Sequence, residues 1–147
     1  MNLIEALLNA DEKKLTAVQT DTIEIKRLSN LLGAPFVIEV AAVPHKRISE
    51  INSTCTVVKR HGKTETNTYK VNMMLLVDGI KTKFSDKELL KKYGCATVMD
   101  LYEKLFNAGE TALILNKISE LSGVSPEDQE AILEEVKNES KPTAKAE

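Results

Sequence analysis

At 147 residues, with 42% hydrophobic and 29% charged side chains, the chain has the length and make-up of one globular domain and not of a disordered one. Its net charge of −2 gives no overall attraction to nucleic acid or to an anionic membrane. A domain of this size buries roughly two thirds of its unfolded surface, so it needs neither a metal nor a disulfide to fold.

The chain opens with Met1-Asn2-Leu3-Ile4-Glu5, which places no basic stretch before an apolar run, and no secretory signal is expected. Leu3, Ile4, Leu7 and Leu8 follow the i, i+1, i+4, i+5 spacing of a short amphipathic helix ending near Asn9-Ala10. Asp11 to Thr20 reads as a polar connection. Thr22–Lys26 and part of Phe36–Val40 alternate with period two and are rich in β-branched residues, which predicts a two-stranded antiparallel ribbon. Ser29 to Pro35 between them holds one helical turn. A ribbon of two strands is marginal alone, so helices must cover it.

Pro44 suits the first turn of a helix, and Ile48, Ile51, Cys55 and Val58 continue it until Lys59-Arg60-His61-Gly62-Lys63. Tyr69 to Val77 fits two templates. Its alternation and the Asp78-Gly79 turn signal suit a hairpin, while Asn67, Val71, Met74 and Leu75 suit a helix. Ser85 and Glu88 form a capping-box pattern ahead of Leu89, Leu90 and Tyr93, with Gly94 as the stop. Thr97 caps a helix whose Val98, Leu101, Tyr102, Leu105 and Phe106 make a core-facing stripe, with Gly109 after its end. Glu110 to Ser122 forms the next helix, stopped by Gly123. Ser125-Pro126-Glu127-Asp128 then opens another. Together these elements predict an α+β fold, predominantly α-helical, with a small two-stranded antiparallel β element packed against about six helices. Residues 1–138 are expected to form a single domain, with helix and ribbon in 1–43 and helices in 44–138, and 139–147 a disordered tail.

Residues that carry chemistry are sparse. His45 and His61 are the two histidines, and Cys55 and His61 on one helix would not share a face, so no catalytic residue is assigned. Cys55 and Cys95 lack a second sulfur at ligand spacing and read as reduced small hydrophobes, although the sequence leaves a bridge between them open. No metal site and no cofactor-binding glycine loop is found, and the longest apolar run, Met73 to Val77, is too short to cross a bilayer. These features point to a cytosolic protein without a small-molecule substrate. Lys59 to Lys92 carries nine basic residues against four acids, and Ser119 to Glu139 seven acids against one lysine. Such runs form either solvated faces or a partner's electrostatic footprint. The two helices around Gly94 have the outline of a helix-turn-helix, but the second begins Thr97-Val98-Met99-Asp100 and carries Glu103, which phosphates would repel.

The order of several stretches resembles the XkdN-like tail assembly chaperones of PBSX-type prophages. They are Met1 to Asp11, Glu24 to Gly33, Lys87 to Gly94, Leu101 to Leu105 with Gly109-Glu110, and Ile118 to Gly123. The chain departs from such proteins at Pro44-His45-Lys46-Arg47, where they often carry acids, and the resemblance fades beyond Gly123. It implies a non-catalytic protein of the host bacterial cytoplasm, absent from the mature tail. It also implies the tape measure protein as client, with the tail tube protein and a second copy of this chain as further candidate partners. Residues 67–78 would then be helical. A structural component of a tail and a helix-turn-helix DNA-binding regulator are the alternatives. A chaperone needs an apolar stripe beyond what its core uses, and Ile132, Leu133 and Val136 are the expected partner-binding residues.

Overall fold

A computed structural model describes residues 2–124. The element order is α1 (Leu3–Asn9), α2 (Glu12–Leu15), β1 (Thr20–Glu24), α3 (Lys26–Leu32), β2 (Val37–Ala41), α4 (His45–Thr54), β3 (Thr56–Val58) and β4 (Thr64–Thr66). Four helices complete it: α5 (Thr68–Gly79), α6 (Lys87–Lys92), α7 (Val98–Leu105) and α8 (Ala108–Ser122). The fold is therefore α+β and predominantly helical, as the sequence predicts.

β1 and β2 pair antiparallel, with Ile23 opposite Ile38 and Asp21 opposite Val40. Alternation across the ribbon sends Ile23, Ile38 and Val40 inward, and all three are buried. The pairing sits slightly off the expected segments because Lys26 opens α3 instead of closing β1. α3 itself runs two turns, not one, before Gly33 ends it at φ 68°. Helices do cover the ribbon. α8 packs on β2, and the chain after α5 adds a bridge from Ile80 to Val40, with the Lys81 N–H donating to Glu39 O at 2.7 Å.

The helix after Pro44 is shorter than predicted. It stops at Thr54, and Thr56-Val57-Val58 turns into a strand of a second ribbon whose partner is Thr64–Thr66. Three residues with two β-branched valines favour extended backbone over one more helical turn. The connecting turn places His61 at φ 73° beside Gly62 at φ 77°. Val58 consequently stands exposed instead of joining the stripe of Ile48, Ile51 and Cys55.

Residues 68–79 form a helix, with Asn67 capping it by accepting from the Lys70 N–H at 3.1 Å. The Asp78-Gly79 pair makes no hairpin. Gly79 is a helical residue pressed against α8, where a Cβ would lie 2.3 Å from Ile118 Cδ1. The next helix is capped one residue later than predicted, by Asp86, which accepts from the Leu89 N–H at 2.9 Å. Thr97 and Asp100 cap α7 reciprocally, and Asn107 with Glu110 does the same for α8. Gly109 thus falls inside the first turn of α8 instead of following α7.

The core joins both expected parts of the chain, from Ile23, Ile25 and Val40 to Leu76, Ile114 and Ile118. All three phenylalanines meet there with Tyr102. Phe36 stacks on Phe84 at 5.9 Å, and Phe84 meets Tyr102 edge-on at 6.0 Å. Burial pushes the Tyr102 phenol up to about 12.

Candidate interaction surface

Exposed apolar side chains occur on several elements, Leu31 and Leu32 of α3 and Val57 and Val58 of β3 among them, but four large aliphatic ones share a single helix at the N-terminus. Asn2 caps α1 by accepting from the Glu5 N–H at 2.8 Å, so the helix has a proper start. Its i, i+1, i+4, i+5 spacing puts Leu3, Ile4, Leu7 and Leu8 on one face, where they are 82%, 70%, 64% and 79% exposed. No residue of α1 or α2 is buried, and Leu15 and Val18 extend the apolar surface toward β1. The sequence marks this stripe, but its spacing is that of any core-facing helix. Nothing in the spacing says that the stripe stays uncovered by the described residues.

The expected partner-binding residues Ile132, Leu133 and Val136, with their helix and the tail, lie outside the described residues.

Grooves mark the described helices. One, of about 630 Å³, follows the outer face of α4 along His45, Ile48, Asn52 and Thr56. Another, of about 380 Å³, lies where α5, α7 and α8 meet and is lined by Met73, Phe106 and Leu115, with Tyr69 and Glu103 at its rim. The Tyr69 hydroxyl donates to the Glu103 carboxylate, and this bond holds the phenol protonated above its ordinary range. The floor is apolar, while the rim is already internally bonded.

Some charged side chains tie the elements together. Arg27 of α3 grips Glu110 with two bonds of 2.8 Å and reaches Leu105 O at 2.7 Å, tying α3 to the junction of α7 and α8. That grip holds the Glu110 carboxyl below its usual range. Arg47 pairs with Asp78 between α4 and α5, and Lys117 with Asp21 between α8 and β1.

Cys55 is buried at the end of α4, 3.5 Å from Met74 Sδ, and Cys95 is unbridged as well. His61 sits at the tip of the second ribbon and not on the helix of Cys55, which corrects the arrangement expected from the sequence. Among the described residues no group of three His, Cys, Asp or Glu is placed to hold a metal ion. No described helix is long and apolar enough to cross a membrane. In the helix pair around Gly94, Lys104 donates its ammonium to Tyr93 O at 2.7 Å, so the basic residue of α7 is spent within the turn.

These elements define a small helical α+β protein with an apolar helix turned outward. The chain belongs to the phage XkdN-like tail assembly chaperone family, whose model matches residues 4–137. That match takes in all of α1 but Leu3 and runs past Gly123, further than the resemblance read from the sequence. The fold is similar to the crystal structure of the protein yqbn, with a TM-score of 0.54 and 20% identity, covering 78% of this chain and 97% of that one. No curated protein matches the chain.

Proposed function

We propose that this tail assembly chaperone is a holdase for the tape measure protein. It covers apolar stripes on that long helical client in the host cytoplasm, gives way to tail tube subunits, and leaves before the tail is complete. The observation that supports this reading is the outward stripe of α1, four large aliphatic side chains on a capped helix. Magnitudes fit a reversible hold. Each of the four contributes roughly 1.5–3 kcal/mol if fully buried, against an association cost of about 4–15 kcal/mol. One α1 contact is therefore weak, and many along one client hold it without locking it.

In this reading residues 1–138 act as one unit, and Ile132, Leu133 and Val136 supply further partner-binding surface. The protein needs no cofactor and turns nothing over. A structural tail component is the rival reading. The test is coexpression of the full chain with the tape measure protein of the same phage genome, followed by mass spectrometry of purified tails. The holdase reading expects a soluble, copurifying client and tails that lack the chaperone. A client that stays insoluble, or stoichiometric chaperone in finished tails, contradicts it.

A further inference from the structure

We propose that in the client-free protein the α1 stripe is covered by the chain's own segment 126–138, through Ile132, Leu133 and Val136. The purpose of this cover rests on the holdase reading; its geometry does not.

The first observation is that α1 lacks support. It has seven residues, none of them buried, and isolated helices below about 12–15 residues are marginal in water. A helix that short persists by packing its apolar face on something.

The second is where the two segments leave the fold. The Ala42 N–H donates to Gln19 O at 2.8 Å, and the next residue, Val43, donates its N–H to Ser122 Oγ at 2.9 Å. The chain arriving from α1 and α2 and the end of α8 therefore flank consecutive residues at one corner. Ile132 lies eight positions beyond Val124. These eight steps span roughly 12 Å as a helix and about 26 Å extended, a reach comparable to the path back over the ten residues between Gln19 and Leu8.

The third is complementarity. In sequence Glu127, Asp128 and Glu130 come soon after Ser122, and α4, which starts two residues past Val43, opens with exposed His45 and Lys46 and no acid in its first turn. Neither of these two has an ion-pair partner among the described residues. Lys13 and Lys14 stand exposed in the last turn of α2. Ile132, Leu133 and Val136 also repeat in sequence the i, i+1, i+4 spacing of Leu3, Ile4 and Leu7. Two apolar runs of matching sequence period, on segments that continue from one corner of the fold, with acids in one and bases near the other, suit each other.

Such a cover keeps an exposed apolar patch from drawing chaperones together. It also lowers apparent client affinity by the fraction of molecules that are uncovered. A client that separates the stripes meets both.

Hydrogen exchange of residues 2–15 in the full chain tests this, in the wild type and in the variant Ile132→Glu/Leu133→Glu/Val136→Glu, at two protein concentrations. The expected result is wild-type protection that does not change with concentration and falls at least tenfold in the variant. Three results overturn the proposal: no protection in the wild type, equal protection in the variant, or protection that grows with concentration, which makes a second copy the occupant. No client is present, so a failure here leaves the holdase reading standing, and failed client solubilisation leaves the cover standing.

Discussion

In α7 the stripe of Leu101 and Tyr102, continued by Phe106, lies against α5 and the aromatic cluster, fully out of water. In α1 the stripe of Leu3, Ile4, Leu7 and Leu8 faces outward. Both helices are short, both are capped by a polar side chain at the N-terminus, and both repeat apolar residues on one face. The difference comes from their neighbours. α7 follows a tight glycine turn and precedes the longest described helix, so folding back on the core is enforced, whereas α1 and α2 precede the ribbon with no described element over them. An amphipathic pattern states that a face will be covered and is silent on what covers it.

The contrast breaks most sharply at Ile114 on α8, which is fully buried. Ile114→Ala is expected to lower unfolding free energy by about 2–5 kcal/mol in urea titrations. A similar loss from Leu7→Ala would place α1 in the core and end the distinction. Gly79→Ala should follow at about 1–3 kcal/mol, because the new methyl meets Ile118, partly offset by better helix propensity. Cap removal separates the regions again. Asn107→Ala is expected to cost about 1 kcal/mol, since its helix carries the core, while Asn2→Ala leaves the global midpoint unchanged.

Smaller still is the pH effect of Glu110. Its folded-state pKa is depressed, foremost by hydrogen bonding to Arg27, so its contribution is complete above the ordinary glutamate value of about 4.3 and drains away as pH falls through the lower folded value. Urea midpoints should therefore fall on acidification below about pH 4, and Glu110→Gln should flatten that part of the profile. A profile unchanged by the substitution would detach Arg27 from the α7–α8 junction.

Much of the helical part is legible in the chain itself. Thr97 with Asp100, the stripe of α7, and the stop at Gly123 are local signals that tertiary packing leaves in place. The errors fall where local preference is balanced. Val58 fits a helical stripe by spacing, but its neighbours Thr56 and Val57 and the His61-Gly62 turn pull it into a strand. Asp78-Gly79 looks like a turn until Ile118, almost forty residues away, shows why a residue without Cβ is needed. The candidate interaction surface is the least legible. Leu3, Ile4, Leu7 and Leu8 were visible as a stripe, but exposure is a property of the assembled fold and not of spacing.

The claim that α1 is client surface while α7 and α8 are core is tested most directly by Leu3→Gln/Ile4→Gln/Leu7→Gln/Leu8→Gln in the full chain coexpressed with the tape measure protein. The prediction is soluble client reduced to the level without chaperone, while the variant keeps a thermal midpoint close to that of the wild type. Client that remains soluble with this variant would contradict the account.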